Sequence, residues 1–320
     1  MIVRWGLEEL PGVLGELGFE RPFLIASERW SSLDLPAAGK WREVPTDQIQ
    51  EVAAEADGAH GLLAVGGGSA IDLAKAVSAA TGLLLVSVPT TYSGAEWTPV
   101  FGIRDPDRRM TGGGGGARLG GIVYEPKLTL QLPRAESGGT AMNALAHCAE
   151  ALYVAGRNPI GDEQALEGAG LIGEWLPRVL EDGNDVEART ALLRGAMHAG
   201  AALGAAGLGL GHAMSQAVGG RYGIPHGAAN ALCLPPALRF NEPVAAGEIA
   251  RFGAALGADD PIARCEELAR LSGYERLRDL GVPEDELDEV AEATAVRGGA
   301  LANPRQATPA EIAELFRSIW

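Results

Sequence analysis

Two polar side chains, one helical turn apart, interrupt an apolar segment near the middle of the chain. In the stretch GGTAMNALAHCAEALY (138–153), Asn143 and His147 are four residues apart, a spacing that places both on one face of a helix. With aspartate at position 143 the pair would be half of a metal site, because carboxylate and imidazole both bind zinc and iron. An asparagine there leaves open whether the site holds a metal or serves another purpose.

Two more histidines can join this pair. His212 and His226 lie fourteen residues apart in GHAMSQAVGGRYGIPHGAAN, which on one straight helix would separate them by about 21 Å. Glycines and a proline break that run, so we predict that one helix ends there and another begins at Pro225. The turn would fold His226 back towards His212, Asn143 and His147. The alternative is that the three histidines are unrelated core or surface residues.

A glycine-rich loop follows an apolar run in GLLAVGGGSAIDLAKAVS. Gly66, Gly67 and Gly68 let the backbone turn sharply and leave no Cβ between its N–H groups and an approaching anion, while the following helix adds its positive end. The pattern favours phosphate binding, although it is neither GxGxxG nor a P-loop. Ser69 and Asp72 either take part in that binding or form a capping box at the start of the helix.

A second polar loop, SVPTTYSGAEWTP, follows the next apolar run. It carries Thr90, Thr91 and Ser93 at the carboxyl end of a predicted strand, the edge where ligands bind in open parallel sheets. Their hydroxyl groups either bond phosphate or ribose oxygens of a cofactor or satisfy the backbone of the turn.

The elements that would position these residues fall into two groups. Apolar runs and amphipathic stretches alternate at the start of the chain, which predicts a parallel sheet covered on both faces. We predict strands at 21–27, 61–65, 82–89 and 121–126 and helices at 47–56 and 69–80. Long alanine- and leucine-rich helices follow. We therefore assign residues 1–135 to an α/β dinucleotide-binding domain and 136–320 to an all-helical domain, and expect the glycine run at 111–121 to be a flexible hairpin tip.

Composition narrows the class of protein. The 320 residues are 47% hydrophobic and carry a net charge of −16, which disfavours nucleic acid and anionic membranes as partners. The cysteines Cys148, Cys233 and Cys265 show no CxxC spacing and are expected to be reduced thiols. No apolar run approaches the roughly 20 residues needed to span a bilayer. We expect a cytoplasmic protein that acts on a small molecule.

Four motifs together resemble one known family. GGGSAIDLAK, VPTTYSGAEWTP, MNALAHCAEALY and GGRYGIPHG are similar to segments of the iron-containing alcohol dehydrogenase superfamily, and within it to the maleylacetate reductases. The resemblance implies a Rossmann-like N-terminal domain that binds NADH or NADPH. It also implies an all-helical C-terminal domain, in the arrangement called dehydroquinate synthase-like, and a homodimer.

The same resemblance assigns roles to residues. The metal positions of the family fall on Asn143, His147, His212 and His226, and the first of these is aspartate in the alcohol dehydrogenases. Because asparagine neutralises none of the charge of Zn²⁺ or Fe²⁺, we expect weakened metal binding and a site that works without metal. The cofactor positions fall on the glycine loop with Ser69 and on the hydroxyl residues of the second loop.

The activity that the resemblance implies is hydride transfer from NADH or NADPH to the carbon–carbon double bond of maleylacetate, giving 3-oxoadipate in aromatic catabolism. His147, His212 and His226 would be catalytic: they would stabilise the enolate and protonate carbon. Arg109 and Arg221 are candidates for the carboxylates of the substrate, or else solvated surface charges.

Three alternatives stay open. One is a metal-dependent alcohol or aldehyde dehydrogenase, and another is a family member used in the biosynthesis of a specialised metabolite. The third is a binding or scaffold protein without catalysis. The proton donor is also open, because Gln216 stands where the family usually has a further histidine.

Overall fold

The computed structural model describes residues 1–320, which divide into two compact units. The first comprises Met1–Thr91 and Ala95–Gln131, and the second comprises Tyr92–Gly94 and Leu132–Trp320. The boundary predicted between residues 135 and 136 lies close to this division, within the first turn of the helix Arg134–Ala151.

A six-stranded parallel sheet forms the centre of the first unit. The strands of this unit are β1 (Ile2–Trp5), β2 (Pro22–Ala26), β3 (Gly39–Trp41), β4 (Gly61–Gly66), β5 (Leu84–Pro89), β6 (Phe101–Arg104), β7 (Met110–Gly114) and β8 (Arg118–Tyr124). The sheet has the order β1-β8-β5-β4-β2-β3, and every neighbouring pair is parallel. The four predicted strands are confirmed. The sequence analysis missed β1 and β3, which are short and only partly buried.

Helices cover both faces of this sheet, as predicted for an α/β domain. They are α1 (Leu10–Glu16), α2 (Ile49–Glu55) and α3 (Gly68–Thr81). Alternate residues of β4 serve the two faces: Leu63 packs in the apolar cluster that contains Leu10 of α1, whereas Leu62 packs in the cluster that contains Ile71 of α3. This double burial explains why β4 reads as a continuous apolar run.

The glycine run was wrongly predicted to be a hairpin tip. Strands β6 and β7 pair antiparallel, so the first glycines of the run form one arm of the hairpin. The turn lies between the strands, where Arg108 has a φ of 66°. A Cβ on Gly113 would lie 3.0 Å from the carbonyl oxygen of Phe101, and one on Gly114 would lie 3.0 Å from the ring of Phe101. A side chain at either position would therefore press against Phe101.

The second unit contains helices only, which confirms the predicted all-helical region. They are α4 (Arg134–Ala151), α5 (Pro159–Glu181), α6 (Val186–Ala206), α7 (Leu210–Tyr222), α8 (His226–Leu256), α9 (Pro261–Leu271), α10 (Leu287–Ala295), α11 (Gly298–Leu301) and α12 (Pro309–Ser318). The predicted break between two helices is present: Gly223 ends α7 with a φ of 70°, and α8 begins directly after Pro225. None of these helices offers an uncharged apolar stretch of the length that a bilayer-spanning segment requires.

Helix α4 lies in the interior of the second unit. Nearly every residue from Ser137 to Ala151 is buried, and the helix packs against α5, α6 and α8. Small residues allow this close packing: a Cβ on Gly227 at the start of α8 would lie only 2.4 Å from the backbone of Gly139 in α4. The polar side chains of α4 are therefore placed among neighbouring helices and away from solvent.

The three cysteines are free and buried. Burial raises the pKa of each thiol above its ordinary value of 9.0. They are therefore thiols at neutral pH and unsuited to nucleophilic catalysis.

A buried carboxyl group of the first unit belongs to the second polar loop. Glu96 is 2% exposed; its Oε1 accepts a hydrogen bond of 2.8 Å from the hydroxyl of Tyr124, while its Oε2 has no partner. The indole N–H of Trp97 donates to the same tyrosine oxygen. Burial raises the pKa of Glu96 above 4.5, although the hydrogen bond from Tyr124 and the charge of Lys75 act in the opposite direction.

We expect Glu96→Gln to flatten the dependence of stability on pH. The folded protein keeps the Glu96 proton to a higher pH than the unfolded chain, in which the carboxyl titrates near 4.5. The free energy of unfolding therefore falls as the pH rises through the window between the unfolded and folded pKa values, and it stays lowered above that window. Glutamine remains neutral throughout.

Thermal and chemical denaturation from pH 4.5 to pH 8 measures this effect. The difference in stability between Glu96→Gln and the wild type should move in favour of the variant as the pH rises. Glu55→Gln, at an exposed position of α2, is the matched control. Parallel pH curves for the wild type and Glu96→Gln would contradict the assignment.

Candidate functional site

The glycine loop leads directly into α3. Strand β4 ends at Gly66, Gly67 is the N-cap residue, and no side chain caps the helix. The alternative of a capping box at Ser69 is wrong, because Ser69 already lies in the first turn. Asp72 instead forms an ion pair of 2.8 Å with Lys75 and accepts a hydrogen bond of 3.3 Å from the backbone N–H of Gly102. The positive end of α3 is thereby left for a ligand.

The two loops predicted to bind the cofactor meet at the carboxyl edge of the sheet. Thr90 donates its backbone N–H to the carbonyl of Gly66 at 3.0 Å. A Cβ on Gly67 would lie 2.7 Å from the methyl carbon of Thr91. The hydroxyl of Thr91 is buried and has no hydrogen-bond partner. An uncapped helix start beside an unsatisfied hydroxyl fits the pyrophosphate of a dinucleotide, so these residues could hold the cofactor.

Ser93, the third hydroxyl residue predicted for the cofactor, lies in the second unit. Its carbonyl accepts a hydrogen bond of 2.9 Å from Nδ2 of Asn143. The buried Arg189 of α6 holds the same segment by donating to the hydroxyl of Tyr92 at 3.1 Å. The backbone of this segment therefore belongs to the surroundings of the histidines.

Helices α4, α7 and α8 bring the three predicted histidines together. The rings of His147 and His212 are stacked, with centroids 4.6 Å apart and planes inclined by 14°. The centroids of His212 and His226 are 5.7 Å apart. Asn143 joins the group, since its Oδ1 lies 3.3 Å from Nε2 of His212. The structure therefore places all four predicted side chains in one cluster, which we call the histidine cluster.

The orientation of the Asn143 amide follows from its partners. Its Nδ2 donates to the carbonyl of Ser93, so its Oδ1 must point to the opposite side. That oxygen accepts a hydrogen bond of 2.8 Å from Nδ2 of Asn230 and faces Nε2 of His212. Asn143 is 4% exposed. The amide is thus fixed as a donor to the backbone and an acceptor within the cluster.

The sequence analysis missed two residues of the site. Asn230, one turn after His226, lies with its Nδ2 3.1 Å from Nε2 of that histidine. Glu150, one turn after His147, lies 2.7 Å from Nδ1 of His212. The available signal was helical spacing: both residues follow a predicted site histidine by three or four positions.

His147 is neutral at ordinary pH. Burial lowers its pKa well below 6.5, and the neighbouring His212 and His226 lower it further. Its Nδ1 is buried without a hydrogen-bond partner. His147 therefore lines the cluster as a neutral imidazole and cannot act as a general acid near neutral pH.

The two arginines predicted to bind substrate lie outside the histidine cluster. Arg221 is nine residues after His212 on α7, which corresponds to about 13 Å along the axis. It is exposed and forms ion pairs with Glu286 and Glu289 at 2.5 and 2.7 Å. Arg109 lies at the turn of the hairpin in the first unit, where its backbone N–H donates to Asp105.

The histidine cluster does not fit a resident divalent metal as it is arranged. His147 and His212 stack face to face, and the Oδ1 of Asn143 already accepts a hydrogen bond. No three His, Cys, Asp or Glu side chains in residues 1–320 are grouped so that they could hold a metal ion. A zinc or iron site of this type needs donors that converge on one point, and the two stacked rings do not do so.

Comparison with known families agrees with this architecture. A profile described as iron-containing alcohol dehydrogenase matches residues 5–115, and one described as the C-terminal part of the Fe-containing alcohol dehydrogenase family matches residues 138–320. The chain belongs to the iron-containing alcohol dehydrogenase family. It is accordingly an oxidoreductase, and the family implies a nicotinamide dinucleotide as cofactor and typically a metal.

Relatives along nearly the full chain belong to one branch of this iron-containing alcohol dehydrogenase family. Maleylacetate reductase 2 of Cupriavidus pinatubonensis is 35% identical, covering 98% of this chain and 92% of the relative. The maleylacetate reductase of Pseudomonas knackmussii is 32% identical, covering 98% and 93%. The crystal structure of maleylacetate reductase from Agrobacterium tumefaciens superimposes with a TM-score of 0.87 at 30% identity, covering 100% and 95%. These similarities identify the maleylacetate reductase branch.

We expect Gly67→Ala to weaken cofactor binding. The added methyl group would lie 2.7 Å from the methyl carbon of Thr91, so one of the two loops must shift. An overpacking cost of about 1–3 kcal/mol corresponds to a dissociation constant raised roughly 5- to 150-fold. NADH fluorescence titration measures it. Gly15→Ala, a helical position with nothing within 4 Å of the new Cβ, is the control and should bind as the wild type does. Equal affinities in both variants would contradict the assignment.

We expect Asn143→Asp to make the protein dependent on metal. Asparagine donates to the carbonyl of Ser93, whereas a carboxylate would place an oxygen against that carbonyl. In the presence of a chelator, the free energy of unfolding should fall by about 1–3 kcal/mol. Zn²⁺ should restore it, because a carboxylate with three imidazoles is a good donor set.

Thermal unfolding with EDTA and with Zn²⁺ tests this prediction. Asn184→Asp, at an exposed position, controls for the added charge. A zinc response of Asn143→Asp no larger than that of the wild type would overturn the interpretation of the cluster.

Proposed function

We propose that this enzyme is a maleylacetate reductase that uses NADH or NADPH to reduce the carbon–carbon double bond of maleylacetate, giving 3-oxoadipate in aromatic catabolism. The observation that carries the proposal is the asparagine-centred histidine cluster, in a chain that is similar to maleylacetate reductases along 98% of its length. We further propose that the reaction needs no metal, because the donors of the cluster are neutral and already engaged.

The chemistry divides between cofactor and protein. Bound NADH or NADPH supplies the hydride that adds to the conjugated double bond. Negative charge then develops on the carbonyl oxygen of the substrate, and a proton must reach the neighbouring carbon to complete the reduction. Hydrogen-bond donors of the histidine cluster are suited to the first task, and an imidazole is suited to the second.

His212 is the proposed proton donor. Its Nδ1–H stays bound to Glu150, so His212 donates as the imidazolium: the proton leaves Nε2, on the side of Asn143, and the ring remains neutral with its hydrogen on Nδ1. His147 is excluded from this role at neutral pH by its lowered pKa. Gln216, one turn after His212, cannot transfer a proton. His226 and His147 remain proposed catalytic residues that contact the substrate.

The carboxylates of the substrate require cations. Arg109 is the better candidate, since two glutamates already neutralise Arg221. A homodimer, predicted from the family, and a cytoplasmic location, predicted from the composition and the cysteines, complete the proposal.

Cofactor absorbance tests the proposed function directly. Purified protein mixed with maleylacetate and NADH, or NADPH, is expected to consume the cofactor at the same rate with and without a chelator. Loss of activity in the chelator, with alcohol oxidation restored by zinc or iron, would instead support a metal-dependent alcohol dehydrogenase. Binding of NADH without turnover of maleylacetate would favour a biosynthetic relative, and absence of binding would favour a non-catalytic protein.

We expect His212→Gln to lower kcat by about 10²- to 10⁴-fold, the usual contribution of a general acid. NADH affinity should be unchanged, because the variant leaves the glycine loop intact. His198→Gln is the matched control: His198 is half-buried, pairs with Gln164 at 2.8 Å and lies outside the cluster. A full rate in His212→Gln would remove this histidine from the mechanism.

A further inference from the structure

We infer that Glu150 is a positioning residue, which holds His212 with its hydrogen on Nδ1 and its Nε2 directed at the reacting position. Its role in turnover rests on the proposed function, whereas its effect on His212 does not. The side chain of Glu150 is 0% exposed, and its Oε2 lies 2.7 Å from Nδ1 of His212.

Backbone donors hold the carboxylate in place. Oε2 of Glu150 accepts the N–H of Gly209 at 2.7 Å, and Oε1 accepts the N–H of His212 at 3.0 Å. Both groups belong to the start of α7, where free N–H groups and the helix dipole favour an anion. No arginine or lysine pairs with this carboxylate in residues 1–320. The charge is therefore stabilised by the helix start and by the imidazole.

The start of α7 is shaped around the carboxylate. A Cβ on Gly211 would lie 2.9 Å from Oε1 of Glu150, and a Cβ on Gly209 would lie 3.1 Å from its carboxyl carbon. Neither position has room for a side chain while Glu150 keeps its place. The two glycines of the GLGLGH segment thus allow the helix to close over the carboxylate.

This contact decides which nitrogen of His212 carries the hydrogen. Both oxygens of Glu150 accept backbone N–H groups, so the side chain acts as an acceptor and Nδ1 of His212 is the donor. In neutral His212 the lone pair then resides on Nε2 and makes no hydrogen bond to Oδ1 of Asn143, 3.3 Å away. These two atoms are hydrogen-bonded only when both nitrogens of His212 are protonated. Fixing an imidazole in this way is what a carboxylate does behind a metal-bound or catalytic histidine, and loss of the charge permits the other tautomer.

A capping role alone would make a different prediction from a positioning role. The cap needs oxygens only for the two backbone N–H groups, and its loss would lower stability without selecting a tautomer. The positioning role requires the contact with Nδ1. Glu150→Gln replaces one of the two accepting oxygens by an NH2 group, so it weakens the cap in either case. Only the positioning role predicts that the NH2 group donates to Nδ1 and moves the hydrogen of His212 to Nε2.

The experiment uses the full chain labelled with ¹⁵N-histidine and saturated with NADH. In the wild type we expect neutral His212 to carry its hydrogen on Nδ1, and in Glu150→Gln on Nε2. The resonance is assigned by its absence in His212→Gln. Glu136→Gln, exposed on the first turn of the same helix, is the control and should keep the wild-type spectrum and rate.

Steady-state kinetics complete the test. We expect Glu150→Gln to lower kcat by about 10²- to 10⁴-fold with KM changed less than threefold, as for a triad carboxylate replaced by its amide. Loss of activity without a change of tautomer would overturn the inference, and Glu150 would then serve only to cap the start of α7. A hydrogen on Nε2 in the wild type would overturn it without any variant. A tautomer change in a protein that does not reduce maleylacetate would reject the proposed function and keep the inference.

Discussion

The hydrogen bond from Nδ2 of Asn143 to the carbonyl of Ser93 orients the amide at the centre of the histidine cluster. Because the nitrogen faces the backbone, the oxygen must face Asn230 and His212. An aspartate could not make the same contact, since a carboxylate has no hydrogen to donate. At position 143 the backbone therefore favours an amide over a carboxylate.

Local chemistry explains what the sequence predicted well. The end of α7 and the start of α8 follow from Gly223 and Pro225, residues that act on the backbone beside them. That turn was enough to predict the approach of His226 to His212, which the structure has with a centroid distance of 5.7 Å. The buried central strands could be predicted equally well, because a strand that is buried on both faces consists of a continuous run of apolar residues.

Contacts between residues distant in sequence explain what was missed or wrong. Asp72 matches a capping box by spacing, but Lys75 and the backbone of Gly102 bind it instead. Gly113 and Gly114 were predicted to lie in a flexible hairpin tip, but in the structure they belong to a strand that packs against Phe101. Glu150 is part of the motif MNALAHCAEALY, yet its partners lie at the start of α7, which begins some sixty residues later. Spacing within a segment does not indicate such partners.

The near contact between Gly139 and Gly227 has a consequence for the tolerance of the cluster. Where two helices meet through main-chain atoms, their separation is set by van der Waals radii and does not depend on side-chain rotamers. Main-chain contacts therefore fix the position of the first turn of α8 relative to α4. Because His226 is the first residue of α8, its position relative to α4 is fixed as well. Substitutions among apolar residues elsewhere in the second unit are therefore expected to leave the distance between His147 of α4 and His226 of α8 unchanged.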